Sequence, residues 1–218
     1  MKKSILLGFA SIVAVSLFIW GPELRDLYLL QKHFETSTQA AELDGGAWPR
    51  LSDVCISCHG VKGDSQNQMY PSLAGQPAPY IAAQLQNFAS GKRSNPYMTP
   101  LASTLSEAEI KALADYFAKQ HPGGNSTFSP ESSLREKGRK LVESGACSAC
   151  HGAQLMGHDG FPRLAGQGFD YLLAQLDNFS SGKRNEPTGV MKSIASAASP
   201  EDRKAIASYL ASLAPGGK

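Results

Sequence analysis

The chain of 218 residues has almost no net charge, because 21 Lys and Arg residues face 19 Asp and Glu residues. A formal charge of +2 argues against a nucleic-acid partner, which needs a strongly basic surface. The sequence contains no basic stripe interleaved with aromatics, no glycine-rich phosphate loop and no Ser/His/Asp constellation. No segment alternates apolar and polar residues as a half-buried strand does. These absences favour an all-α protein that binds neither nucleic acid nor nucleotide phosphate.

Cysteine is scarce, and all four cysteines fall in two copies of one motif. The copies are Cys55-Ile56-Ser57-Cys58-His59 and Cys147-Ser148-Ala149-Cys150-His151. Cys-x-x-Cys-His is the attachment signature of c-type haem: two thiols add to the vinyl groups, and the histidine supplies an axial nitrogen. A zinc site needs four ligands on one metal, and a disulfide does not need the histidines. We therefore predict two covalently bound haem c groups, with His59 and His151 as iron ligands.

The two motifs belong to a longer internal repeat. His59 and His151 are 92 residues apart, and the offset changes by only one residue along the repeat. The repeated segments include Pro71-Ser72-Leu73-Ala74-Gly75-Gln76 with Pro162-Arg163-Leu164-Ala165-Gly166-Gln167, and Tyr80 with Tyr171. The repeat therefore predicts two modules of about 85 residues each. A module of that size is small for an independent core, and covalent haem would add apolar bulk to it.

Methionine supplies the second predicted ligand of each iron. Met98 lies 39 residues after His59, and Met191 lies 40 residues after His151. A segment of that length is long enough to pass round the haem edge and reach its far face. Most methionines are core filler, but these two occupy the same slot in both modules. Met69, Met156, His33, His121 and His158 have no repeat counterpart and are the weaker candidates.

A repeated Gly-Lys-Arg loop adds a further candidate for haem binding. It carries Lys92-Arg93 in the first module and Lys183-Arg184 in the second. One hypothesis is that Arg93 and Arg184 bind haem propionates through charge-assisted hydrogen bonds. The alternative is an ordinary solvated loop after a helix.

The N-terminus is predicted to span a membrane. Lys2 and Lys3 precede an uncharged run over residues 4–22, which is short but long enough for a spanning helix. Trp20 suits a membrane interface, and no small-residue cleavage site follows closely. A cleaved signal peptide is the alternative. The predicted location is therefore the bacterial cytoplasmic membrane, with one N-terminal span, lipid around residues 4–22 and the haem modules in the periplasm.

The combined motifs resemble the cytochrome c4 family of dihaem class I c-type cytochromes over residues 50–214. The resemblance implies two tandem cytochrome c folds related by a pseudo-twofold axis, with both irons bound by His and Met. It also implies that Pro71 and Pro162 offer carbonyl oxygens to the Nδ1–H groups of the proximal histidines. The predicted organisation is an anchor at 1–22, a connecting segment at 23–46, cytochrome c domains at 47–121 and 131–218, and a linker at 122–130.

Six-coordinate iron has no open site for a small-molecule substrate, so the predicted reaction is one-electron transfer at a haem edge. We expect a membrane-anchored carrier in a respiratory chain, from a quinol-oxidising complex to a terminal oxidase. A fixed cytochrome subunit of a larger membrane oxidoreductase or oxidase is the first alternative. An enzyme, such as a dihaem peroxidase or a thiosulfate dehydrogenase, is the second, and it would require one haem to lose its methionine ligand.

Overall fold

The computed structural model describes residues 2–46 and 50–216. They form two compact units, one within residues 1–48 and the other within residues 49–218. The first unit is one helix, α1 (Lys2–Leu43), and the second contains both haem modules. Across the described residues, extended pairing is limited to one isolated bridge between His158 and Phe161. The prediction of an all-α fold is therefore confirmed.

Helix α1 corrects the prediction of a membrane anchor. It runs through Pro22 without interruption. Glu23, Arg25 and Asp26 continue the same helix directly after the apolar run, which is therefore not a separate element. Across the described residues, the hydropathy of every helix falls short of what a membrane span requires. The predicted membrane span, its lipid contact and the membrane location are wrong.

The first module packs three helices around a small apolar core. They are α3 (Ala78–Ala89), α4 (Met98–Ser103) and α5 (Glu107–Lys119), and a haem-motif turn, α2 (Ile56–His59), precedes them. Helix α3 packs against both α4 and α5. The core of the module is formed by Ile81, Leu113, Ala114 and Phe117. A capping box begins α5, because Ser106 Oγ accepts from Glu109 N while Ser106 N donates to the Glu109 carboxylate.

The second module repeats this arrangement with one additional helix. Its elements are α6 (Ser132–Ser144), α7 (Cys147–His151), α8 (Phe169–Ser180), α9 (Val190–Ala197) and α10 (Pro200–Ala211). Helix α6 packs along α10, and a Cβ at Gly138 would overlap the backbone carbonyl of Ala205. In the first module, short 3-10 helices at Leu51–Cys55 and Val61–Gly63 flank α2, and the first of these contacts α5. Within the described residues, the 3-10 helix that precedes α2 is shorter than α6, its counterpart in the second module.

The repeated Pro-x-Leu-Ala-Gly-Gln segment is a turn pressed against the last helix of its own module. Gly75 N donates to Phe117 O, and Gly166 N donates to Leu210 O. Both glycines have positive φ, at 65° and 69°. A Cβ would also collide with Pro122 at the first position and with Pro215 at the second. Glycine is therefore required twice, and the turn places its proline carbonyl and terminal glutamine at fixed positions.

Candidate functional site

The first haem motif folds as a tight helical turn that presents two thiols and one imidazole. Cys55 ends a 3-10 helix, and α2 carries Cys58 and His59. Both thiols are free and partly exposed, whereas the His59 ring is buried. His59 Nδ1 lies 2.8 Å from Pro71 O. Because a carbonyl only accepts, Nδ1 carries the proton and Nε2 keeps its lone pair for a metal.

The second motif repeats this geometry in α7. Cys147 and Cys150 are free thiols, and His151 is buried. His151 Nδ1 lies 2.9 Å from Pro162 O. The structure thus places both prolines where the family resemblance implied them. A carbonyl at Nδ1 fixes both the tautomer and the orientation of a metal-binding imidazole.

Burial shifts the pKa values of both proximal histidines and of the first cysteine in each motif. Burial lowers the pKa of His59 and His151, and the carbonyl hydrogen bond opposes this only in part. Burial, helped by Cys58, raises the pKa of Cys55 to about 11, and burial also raises the pKa of Cys147. Reactive dithiols have depressed thiol pKa values instead. The described part of the chain also brings no three His, Cys, Asp or Glu side chains together as a metal cluster.

The two predicted methionine ligands begin equivalent short helices. Met98 is the first residue of α4, and Asn95 Oδ1 accepts from its backbone N at 2.9 Å. Met191 is the second residue of α9, and Glu186 Oε1 accepts from its backbone N at 3.0 Å. Both side chains are partly buried. Each methionine is therefore held by a polar side chain of the preceding loop, although its role as an iron ligand stays a prediction.

The competing methionines and histidines are placed less suitably. Met69 is 68% exposed, and the sulfur of Met156 already accepts from Gly216 N at 3.1 Å. His33 and His121 are exposed. His158 is about half exposed and contacts the Asp159 carboxylate. None of them has a methionine or a histidine at the equivalent position of the other module.

Arg93 and Arg184 meet a polar cluster between the modules. Each guanidinium bonds to the glutamine of its own module and to the glutamine of the other, Gln84 and Gln175. Arg184 also donates to Tyr80 OH at 3.0 Å. The remaining members are Tyr171, within reach of Arg93, and the rings of Phe88 and Phe179, which lie under the two guanidiniums.

This cluster is positively charged, because glutamine and tyrosine do not neutralise two guanidiniums. Burial raises the pKa of Tyr171, but Arg93 and Arg184 outweigh that effect and hold it at about 8. The arginines are therefore not part of an ordinary solvated loop. Propionate binding by Arg93 and Arg184 stays a prediction.

A second set of contacts between the modules was missed by the sequence reasoning. Gln76 and Gln167 are buried, and each forms two hydrogen bonds with one residue of the opposite module. Gln167 pairs with the backbone N and O of Ser72, and Gln76 pairs with those of Arg163. The available signal was the repeated glutamine at the end of the turn motif. Its polar character gave no indication that it would be buried against the other module.

Similarity to known proteins agrees with this architecture. The family model described as "Cytochrome c oxidase, cbb3-type, subunit III" matches residues 48–117, and the one described as "Cytochrome c" matches residues 135–214. Cytochrome c4 of Thiocapsa roseopersicina is 37% identical over 177 residues, which cover 75% of this chain and 89% of the relative. The chain belongs to the cytochrome c4 family.

Two further relatives of this cytochrome c4 chain are informative. The thiosulfate dehydrogenase electron acceptor of Thiomonas intermedia is 36% identical over 79% of this chain and 84% of its own. The crystal structure of reduced recombinant cytochrome c4 from Pseudomonas stutzeri superposes with a TM-score of 0.67 at 33% identity. The alignment covers 74% of this chain and 94% of that one. The protein is a dihaem c-type cytochrome of the electron-transfer class.

The residues of both modules fit the covalent haem c that the family carries. Cys55 with Cys58, and Cys147 with Cys150, supply the thioether bonds, and each adjacent histidine has a free Nε2. Bound haem supplies a one-electron ferric/ferrous couple. The chain itself keeps each imidazole neutral, fixes its ring through a proline carbonyl, and buries it against the module core.

Proposed function

We propose that this cytochrome c4 is a carrier that accepts and donates single electrons at two six-coordinate haems. The proposed axial pairs are His59 with Met98 and His151 with Met191. The observation that carries the proposal is the duplication: both modules hold a histidine by a proline carbonyl and a methionine at the start of a short helix. A soft thioether favours ferrous iron and raises the reduction potential relative to bis-histidine ligation.

For the partners, we propose a quinol-oxidising complex as the electron donor and a terminal oxidase as the acceptor. A thiosulfate dehydrogenase is the second candidate donor, and the relatives from Thiomonas intermedia and Stutzerimonas stutzeri that are named its electron acceptors favour it. A fixed subunit of a larger oxidoreductase is the remaining alternative to a mobile carrier. An enzyme is disfavoured, because the proposed ligand sets leave no open position on either iron.

Stopped-flow spectroscopy tests the proposal and separates the donors. The oxidised protein is mixed with a reduced quinol-oxidising complex or with thiosulfate and its dehydrogenase, and haem reduction is followed by absorbance. We expect reduction of both haems by at least one donor, followed by reoxidation by a terminal oxidase. Failure to exchange electrons with any of these proteins, or binding of carbon monoxide by the reduced wild-type protein, would contradict the proposed carrier.

A further inference from the structure

The hydrogen bond on each proximal histidine is connected to a glutamine of the other module. His59 Nδ1 donates to Pro71 O, and the N–H of the same peptide unit belongs to Ser72. Ser72 N donates to Gln167 Oε1 at 2.9 Å. In the second module, His151 Nδ1 donates to Pro162 O, and Arg163 N donates to Gln76 Oε1 at 2.9 Å. Each module therefore provides the glutamine that bonds to the proximal peptide of the other module.

The glutamine amides also hold these peptides in position. Gln167 Nε2 donates to Ser72 O at 2.8 Å, and Gln76 Nε2 donates to Arg163 O at 3.0 Å. Both glutamines are nearly solvent-free, with 1% and 4% of their surface exposed. Water therefore competes little for these bonds, and the low local dielectric strengthens them.

The consequence for the iron follows from the polarity of a peptide unit. A hydrogen bond at its N–H draws electron density towards the carbonyl oxygen, and bonded groups in a chain strengthen one another. A stronger acceptor at His Nδ1–H makes the imidazole more basic towards its metal. A more basic imidazole favours ferric over ferrous iron, and the potential of that haem falls.

We propose that Gln167 is a positioning residue for the first haem and that Gln76 is a positioning residue for the second. Each module thereby sets the reduction potential of its neighbour through the peptide that holds the neighbour's proximal histidine. This inference rests on the proposed function for the presence of two redox-active irons. It adds that Gln76 and Gln167 couple the reduction potential of each haem to the opposite module, which the haem ligands themselves do not do.

The test uses two substitutions with opposite expected effects. Gln167→Leu removes the acceptor at Ser72 N–H, and the first-haem potential should rise. Gln167→Glu loses the Nε2 donor to Ser72 O but keeps an acceptor at Ser72 N–H and makes it stronger as a carboxylate, so the same potential should fall. In each variant the ratio of reduced to oxidised first haem, at the wild-type midpoint, should change about twofold, because one hydrogen bond strengthens the next in its chain by only about 10–30%. The second haem should change much less.

Redox titration followed by visible absorbance gives the potentials of the holoprotein. Proton NMR of the ferrous protein assigns them, because the imidazole Nδ1–H and methionine methyl signals differ between the haems. Gln167→Leu should also move the His59 Nδ1–H signal and leave that of His151 in place. Gln76→Leu should have the reverse effect, which tests the reciprocity directly.

Gln68→Leu is the matched control. Gln68 also joins the modules, because its Oε1 accepts from Phe169 N at 2.8 Å, but its side-chain hydrogen bonds go to Asn125, Thr127 and Phe169 rather than to either proximal peptide. It should loosen the packing without moving either potential. Shifts of the same sign in both Gln167 variants, equal shifts at both haems, or a shift in Gln68→Leu would overturn the proposal. Loss of electron exchange with partner proteins would instead contradict the carrier function, because potentials are measured without them.

Discussion

Arg93 of the first module donates to Gln175 Oε1 of the second module at 2.9 Å. Arg184 returns the contact with Gln84 at 3.2 Å. Each guanidinium carbon also lies 4.6 Å from the centre of a phenylalanine ring of its own module. The repeated arginines therefore connect the modules whether or not they also bind propionates.

Replacing Arg93 with Gln should weaken the packing between the modules. The variant loses charge-assisted bonds to Gln84 and Gln175, and we expect the free energy of unfolding to fall by about 1–3 kcal/mol. Chemical denaturation followed by circular dichroism measures the loss. Lys92→Gln is the control, because it makes the same charge change at the exposed neighbouring residue. A potential shift in Arg93→Gln but not in Lys92→Gln would add support for propionate binding, and equal stability of the two variants would refute the packing role.

Replacing either Met98 or Met191 with Ala should open a coordination position at one haem only. That haem should lose its thioether ligand, fall in potential and bind carbon monoxide when reduced, because a soft ligand no longer favours ferrous iron. Absorbance spectra and redox titration check each variant, and both covalent haems should remain. Met69→Ala and Met156→Ala serve as controls with unchanged spectra. An unchanged titration in Met98→Ala would remove that residue from the predicted ligands.

The double substitution Cys55→Ala with Cys58→Ala should abolish covalent haem in the first module and leave the second intact. Thioether bonds require these two thiols, and the chain has no other cysteine near α2. A haem stain after denaturing electrophoresis, with haem quantified per chain, should show half of the wild-type content. Cys147→Ala with Cys150→Ala is the reciprocal variant. Retention of two covalent haems in either variant would exclude this attachment.

Gly138→Ala should destabilise the second module, because the new methyl group would overlap the Ala205 carbonyl between α6 and α10. We expect a loss of about 1–3 kcal/mol, the usual cost of overpacking a tight contact. Gly160→Ala is the matched control, since a Cβ there meets no atom within 4 Å. Thermal unfolding of both variants gives the comparison. Equal melting temperatures would show that α6 shifts to accommodate the methyl group.

The helices of the modules could be predicted from local sequence, because their signals are local. The capping box at Ser106 fixes the start of α5, and apolar residues recur at helical intervals along α3 and α8. Haem attachment was also predictable, since the cysteines and the histidine of each motif lie within one turn. The predicted membrane span was wrong, because the apolar run over residues 4–22 is only part of a longer helix, α1, that continues into the charged residues Glu23, Arg25 and Asp26.

The interface between the modules could not be predicted from local sequence. Gln76 and Gln167 are polar, and polarity alone predicts a solvent-facing residue. Their burial is stable only because each finds a complete backbone partner in the other copy. That information is present in neither copy separately. The repetition of Arg93 and Arg184 drew attention to the correct loop, but only the fold identified its partners as Gln84 and Gln175.

The bonds of Gln76 to Arg163 and of Gln167 to Ser72 also give the modules the symmetry of a dimer. Residue i of one copy contacts residue j of the other, and j contacts i, which is the pattern of an isologous dimer with twofold symmetry. The two modules thus have the reciprocal contacts of a homodimer within one polypeptide. Ser72 and Arg163 occupy equivalent positions, and only Arg163 extends a buried guanidinium to Ala74 O of the other copy. Two copies within one chain can differ at such a position, whereas a substitution in a homodimer would appear in both subunits.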